Sequence, residues 1–230
     1  TFDDMMACKR VGAPVLSPDG KQVAFTVTTV NEAENSYHTE IYLMNADGSG
    51  LKQLTDNEKS SSSPKWSPKS DQLAYRYDNQ IWIFDKDLKD AKQYTNHYTG
   101  AGSFEWAPNG KLIAFESRVY ADCDTQEEME ARDKAKEDSK VKARVYEDLL
   151  YRHWNKWWDK KRTHLFILNL KNQEIKDVTP GDYDAQPISL GSGFTFSPDS
   201  KELYFTSNHD DMIAISTNND IWKVAVKGGL

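Results

Sequence analysis

The stretch LSPDGKQVAFTV, Leu16 to Val27, reads as strand, tight turn, strand. Pro18 presets φ for the second position of a turn, Asp19 follows it, and Gly20 supplies the conformation that closes it. Val23 and Phe25, five and seven residues after the proline, fall on one face of the outgoing strand, because strand side chains alternate with period two.

The same pattern returns without gaps in WSPKSDQLAYRY at Trp66, WAPNGKLIAFES at Trp106 and FSPDSKELYFTS at Phe196. A bulky residue always stands two before the proline: Leu16, Trp66, Trp106 and Phe196. The aliphatic position is Val23, Leu73, Ile113 and Leu203, and the aromatic position is Phe25, Tyr75, Phe115 and Phe205. A third strand follows in each unit: EIYLMNADG at Glu40, QIWIFDKD at Gln80, HLFILNLKN at His164 and DIWKVAVKGG at Asp220. Short fourth strands end in Thr55, Thr95 and Thr179, and the fourth unit reaches Leu230 without one.

Four antiparallel strands per repeat of some tens of residues define a β-propeller blade. The expected fold class is therefore all-β: about four blades (near 12–58, 59–97, 98–182 and 183–230) forming an incomplete ring over residues 1–230. Trp66, Trp82, Trp106 and Trp222 fall on repeat positions and are expected between blades. Four blades are the lower limit for closure and the last lacks an outer strand, so the chain is expected to be the N-terminal part of a longer protein.

Blade three contains an excursion. Pro68 to Trp82 spans 14 residues but Pro108 to Phe166 spans 58, so a helical insertion is expected over about 118–163. Thr125 followed by Glu128 is a capping box, and the mixed charges of Glu127 to Lys142 suit a solvated helix face. Beyond it, VYEDLLYRHWNKWW starts at Val145. Tyr146, Leu149, Leu150, His153, Trp154, Trp157 and Trp158 recur at three-and-four spacing, which predicts an apolar stripe on a continuing helix. Such a stripe either docks the insertion on the propeller or, interleaved with Glu147, Asp148, Arg152 and His153, walls a pocket for an apolar side chain with a charged end.

Composition narrows the classes. The 230 residues carry 29 Lys/Arg against 36 Asp/Glu, a net −7 that argues against nucleic acid or anionic membrane as main partner. No window approaches the apolar length of a membrane span, and TFDDMMACKR has no apolar core of a signal peptide. Cys8 and Cys123 are either one bridge or two free thiols. Asn208 to Asp211 (NHDD) reads as a loop-tip turn, with calcium ligation the alternative. No G-x-S-x-G nucleophile elbow, zinc-ligand spacing or phosphate-binding glycine loop occurs, so no catalytic residue, metal or cofactor is expected in these residues.

The SPDG…IAF…DIW…LT repeat resembles the propellers of TolB-type proteins and of the prolyl oligopeptidase superfamily. The insertion is similar to that of dipeptidyl aminopeptidases of the dipeptidyl-peptidase V and acylaminoacyl-peptidase type. Tyr151, Arg152, His153, Trp154, Trp157, Asp159, His164, Leu165 and Phe166 match its YRHWxxWxDGxxxHLF pattern. Lys160 stands where that family usually has Gly.

The resemblance implies a propeller that limits access to an α/β-hydrolase domain with a Ser-Asp-His triad, removing dipeptides or blocked residues from peptide N-termini. It also implies a periplasmic or secreted location, with a cytoplasmic one as the alternative. The expected partners are a peptide substrate and the C-terminal hydrolase domain of the same protein; a homodimer is left open. Among the substrate-binding candidates, Glu147 and Asp148 would hold a free amino group, since a buried ammonium needs a paired carboxylate. Arg152 would orient a peptide carbonyl, and Tyr151, Trp154 and Trp157 would line the cavity. The alternative class is a non-enzymatic TolB-like propeller that binds proteins in the cell envelope.

Overall fold

The computed structural model describes residues 1–147, 149–186 and 193–228. After a short helix α1 (Phe2–Ala7), the first sheet holds β1 (Arg10–Leu16), β2 (Gln22–Asn31), β3 (Ser36–Asn45) and β4 (Lys52–Gln53) in that order. The second holds β5 (Ser61–Trp66), β6 (Leu73–Tyr77), β7 (Gln80–Phe84) and β8 (Ala91–Gln93). The third begins with β9 (Phe104–Trp106) and β10 (Leu112–Val119). The insertion then provides α2 (Gln126–Asp138), β11 (Arg152–His153) and β12 (Lys156–Trp157). β13 (Arg162–Asn169) and β14 (Ile175–Asp177) complete the order β14-β13-β10-β9. The fourth sheet has β15 (Phe194–Phe196), β16 (Glu202–Ser207) and β17 (Asp220–Ala225).

All pairings are antiparallel, and the innermost strands β1, β5, β9 and β15 meet one after another. Among the described residues no comparable contact returns β15 to β1, so the blades form an open arc.

The middle blades bury both faces against their neighbours and the end blades one, which is why the strand cores read as apolar runs. Leu73, Ile113 and Leu203 are fully buried, and the aromatic row Phe25, Tyr75, Phe115 and Phe205 is buried beside them. Between these two rows the small residues Ala24, Ala74 and Ala114 face the adjacent blade and are fully buried. Three apolar clusters fill the joints between blades one and two, two and three, and three and four.

The tryptophans add direction to that packing. The Trp66 indole N–H donates to the Val15 carbonyl across the first joint (3.2 Å), and Trp106 donates to Lys65 across the second (3.0 Å). Trp82 and Trp222, on third strands, are only half-buried against the same clusters.

The turns show how the repeat is stitched. Gly20 and Gly110 take positive φ of 72° and 66°. Ser70 and Ser200 occupy the equivalent positions at 62° and 61°, a conformation that costs a non-glycine residue about 1 kcal/mol. Each serine has a bond that a glycine could not make. The Asp19 N–H donates to Ser70 Oγ (2.9 Å), and the Asn109 N–H donates to Ser200 Oγ (3.0 Å), so each joins its blade to the preceding one.

The threonines that close the fourth strands are equally regular. Thr55, Thr95 and Thr179 each accept the backbone N–H of a third strand, from Ile41, Ile81 and Leu165 at 2.8–2.9 Å. Such a bond satisfies a buried donor that would otherwise cost about 1–3 kcal/mol.

Candidate substrate-recognition insertion

The insertion leaves β10 at Val119 and returns at Arg162, which face each other across the β10–β13 ladder. β10 ends beside the start of β9, where the segment from the preceding blade enters. The insertion therefore rises from the face on which each blade begins, opposite the proline turns.

The sequence predicts one long helical insertion, and the structure divides it. Among its described residues only α2 is helical, and it starts as expected: the Glu128 N–H donates to Thr125 Oγ1 (3.2 Å) and the Thr125 N–H donates to Glu128 Oε2 (3.2 Å). After Ser139 the described residues form no helix, and the end of the stretch read as a continuing apolar helix folds instead into the hairpin β11–β12. Arg152 faces Trp157 and His153 faces Lys156, with Trp154 in the turn at φ 48°. A helix would need a surface on which to bury its stripe, whereas Leu149, Leu150 and Trp154 are exposed.

The hairpin is closed by its own contacts. The Trp158 N–H donates to the Tyr151 carbonyl (2.9 Å), and the Tyr146 hydroxyl donates to the Trp158 carbonyl (3.1 Å). Trp157 stacks on Tyr146 and Tyr151 at centroid distances of 6.0 and 6.1 Å, and the Arg152 guanidinium lies 5.9 Å over the Trp157 ring. Tyr151, Arg152, Trp154 and Trp157 are thus brought together on an exposed platform rather than in a closed pocket. Glu147 is exposed nearby in sequence, while Asp148 lies outside the described residues.

What holds this platform to the propeller is a polar latch that the sequence reading did not single out. Tyr120, just past β10, is buried, and α2 buries Met129 in the same apolar cluster. Asp133 is the hub: its carboxylate accepts the Tyr120 hydroxyl (2.6 Å), Lys161 Nζ (2.7 Å) and the Tyr98 hydroxyl (3.2 Å). Arg132, Lys136 and Lys161 place their cations 4.6, 4.6 and 5.0 Å from the centre of the Tyr120 ring, each attracted to its electron-rich face.

Burial pushes the Asp133 carboxyl up, but the Lys161, Tyr120 and Tyr98 bonds outweigh it and hold the group below 3.8. Burial, together with the Asp133 bond and charge, pushes the Tyr120 hydroxyl well up. Burial lowers the Lys136 ammonium.

A second set of contacts fixes the far end of the insertion. Arg118 donates to Asp159 (2.8 Å), whose Oδ1 also accepts the Lys161 N–H (3.1 Å). Lys160 between them has φ 69°, the left-handed conformation for which the resembling family supplies Gly. Arg162 stacks over Trp158 at 4.9 Å and donates to Asp182 (2.8 Å) and Asp184 (3.4 Å). The latch residues carried no local signal, because Tyr98, Tyr120, Asp133 and Lys161 converge from distant points in the chain.

Charge is unevenly shared within the insertion. Residues 140–162 hold eight Lys/Arg and three Asp/Glu, leaving 21 against 33 in the rest of the chain. The hairpin is thus a basic, aromatic element on an acidic body.

Elsewhere, Cys8 and Cys123 are free thiols, the first exposed and the second half-buried. The Asn208–Asp211 turn is bonded to the segment that follows it, with Asp210 accepting Ser216 Oγ (2.5 Å) and the Asn218 side-chain amide (3.2 Å). No cluster of His, Cys, Asp or Glu suited to a metal occurs among the described residues.

Residues 17–107 match the model of the dipeptidyl peptidase IV N-terminal region. The similarity to dipeptidyl-peptidase 5 of two Porphyromonas species runs across the insertion as well. The P. endodontalis protein is 30% identical over 232 residues, covering 96% of this chain and 33% of that protein. The P. gingivalis protein is 34% identical over 230 residues, covering 94% and 32%.

The fold agrees. Acylaminoacyl peptidase from Pyrococcus horikoshii superposes with a TM-score of 0.71 at 17% identity, over 96% of this chain and 31% of that one. The β-propeller domain of the Trilobed protease from Pyrococcus furiosus, described as having an open velcro topology, gives 0.54 at 15% identity, over 94% and 54%.

These likenesses support a prolyl oligopeptidase-family N-terminal propeller. The chain corresponds to the N-terminal propeller region of the dipeptidyl-peptidase 5 and acylaminoacyl peptidase type. It spans about a third of the length of the curated relatives it matches.

Proposed function

We propose that this propeller region serves a serine dipeptidyl or acylaminoacyl peptidase, whose triad would lie in an α/β-hydrolase domain outside these residues. The insertion would limit access and engage the N-terminal end of a peptide substrate. The observation that carries the reading is the placement of the aromatic hairpin on the blade-entry face, held there by the Asp133 latch. A long excursion with its own structure, unnecessary to blade stability, is where function concentrates in such folds.

In this reading Tyr151, Trp154 and Trp157 offer apolar contact to substrate side chains, and Glu147 and Asp148 supply negative charge for the free α-ammonium. Catalysis itself would come from the hydrolase domain. Binding contacts of this kind act on KM, because they are made equally in the ground and transition states.

The test is kinetic and uses the full-length protein. Glu147→Gln with Asp148→Asn is expected to raise KM for free-amine dipeptide substrates about three- to tenfold, with kcat unchanged, as expected for loss of a charge-assisted contact. Substrates with an acetylated N-terminus should be unaffected. Equal kinetics for the variant and the parent on both substrate types would overturn the anchoring role.

A further inference from the structure

Four of the insertion's five arginines, all but Arg144, fall into two groups. Arg118, Arg132 and Arg162 each grip an aspartate, at 2.8, 2.6 and 2.8 Å. Arg152 does something else. Its guanidinium lies on the Trp157 indole, and among the described residues no carboxylate comes within ion-pair distance of it or of Lys156 on the facing strand.

A guanidinium stacked on a ring is pre-organised. Held 5.9 Å over the ring, an exposed guanidinium keeps its N–H fork available, and that fork matches a carboxylate bidentately. The plate beneath it is braced, since Trp157 is itself stacked on Tyr146 and Tyr151. The basic balance of residues 140–162 adds a local field of the same sign. Trp154, 85% exposed in the adjoining turn, offers an apolar wall beside it.

We infer that the Arg152–Trp157 plate is a carboxylate-binding subsite for a peptide ligand, with Lys156 adding charge and Trp154 contacting the neighbouring side chain. The peptide as ligand rests on the peptidase reading above; the carboxylate preference rests on the plate. Two sources share this chemistry: the C-terminal α-carboxylate of a short peptide, or the side chain of an Asp or Glu residue.

The experiment uses the full-length protein and stopped-flow tryptophan fluorescence, read before turnover. One pair of probes is Gly-Phe-Leu as free acid and as C-terminal amide. The other is Gly-Phe-Glu-Leu-amide and Gly-Phe-Gln-Leu-amide. The parent protein is expected to bind the carboxylate member of at least one pair about three- to tenfold more tightly, as a charge-assisted contact at an exposed site allows. Discrimination in the first pair alone assigns the α-carboxylate, and in the second alone the acidic side chain.

Arg152→Gln should abolish the preference within each pair, and Arg152→Lys should restore only part of it. A general loss of packing would weaken both members of each pair equally. The preference should also shrink as NaCl rises from about 0.05 to 0.5 M.

Absence of any carboxylate preference in the parent overturns the inference without recourse to variants, and so does a preference that survives in a folded Arg152→Gln protein. The two readings separate cleanly. Hydrolysis of these peptides with no carboxylate preference sinks the subsite alone, whereas an Arg152-dependent preference without hydrolysis sinks the peptidase reading and leaves the subsite standing.

Discussion

The blades and the insertion are held together by opposite means. In the blades, fully buried side chains such as Phe115 and Leu203 sit behind short-range turns, and the links between blades pair backbone groups with Ser hydroxyls or Trp indoles, beside one Lys65–Glu105 ion pair. The insertion buries one residue of α2, Met129, and otherwise depends on charges gathered around Tyr120 and Asp133. Apolar burial is global and insensitive to salt or mild pH change, while a polar latch can be opened locally. The difference teaches that this molecule carries its aromatic hairpin on a polar mounting distinct from the apolar frame of the blades.

The comparison can be broken first on the blade side. Phe115→Ala removes a fully buried ring stacked on Phe166 at 5.4 Å, and should cost about 3–5 kcal/mol of stability. A shift of the whole unfolding transition, seen identically by circular dichroism and tryptophan fluorescence, is expected. Loss of only a local segment would mean that the joint between blades two and three is not part of the common core.

The next largest effect is a pH dependence inside that joint. His97 is buried against Phe115 and Phe166, with Thr99 and Ser117 hydroxyls at 3.1 and 3.3 Å from Nδ1. Burial lowers its pKa to about 4, with the more distant Asp177 charge acting weakly the other way. The unfolded chain therefore takes up this proton at a higher pH than the folded one. Stability from His97 is complete above pH 6.5 and is lost as pH falls from 6.5 to about 4, by about 3 kcal/mol in all. Urea unfolding at stepped pH should show that slope in the parent and a flatter one in His97→Asn; parallel slopes would remove His97 as the cause.

The smallest effect on stability, and the sharpest on the comparison, belongs to Asp133→Asn. Its global unfolding free energy should change by less than about 1 kcal/mol, since the ion pair is partly solvated. Limited proteolysis within residues 139–158 should nonetheless accelerate several-fold. Because the Asp133 carboxyl is held below 3.8, the parent latch should persist above that pH and release as pH falls through the lowered value. Unchanged proteolysis in the variant would show that the insertion is held by Met129 and the Arg162 contacts instead.

Sequence made the blades legible because their signals are local. Proline, the turn residues after it, and the aliphatic and aromatic positions all lie within ten residues of each other, so one alignment places turns and strand faces together. Even there, Ser70 and Ser200 pass as imperfect substitutes for Gly until their partners, 51 and 91 residues away, are seen.

The insertion was legible only at its beginning, where the Thr125–Glu128 box is again local. Its second half misled, because aromatics at three-and-four spacing suit an amphipathic helix and cross-strand stacks alike. Tyr146, Tyr151 and Trp157 gain their contacts by stacking on each other, which a hairpin permits in the absence of any docking surface. The latch was invisible for a simpler reason: Asp133 and Lys161 look like two more charges on a solvated segment until Tyr120 brings them to one point.

The distribution of indoles has an optical consequence. Trp66 and Trp106 are 8% and 9% exposed within the blade joints, whereas Trp154 is 85% exposed at the hairpin tip. Shielded indoles emit at the blue side of the band and resist an aqueous quencher, and solvated ones do the reverse. One unlabelled sample thus reports on frame and hairpin at separate wavelengths, and iodide added during a titration would silence the hairpin while the frame goes on reporting.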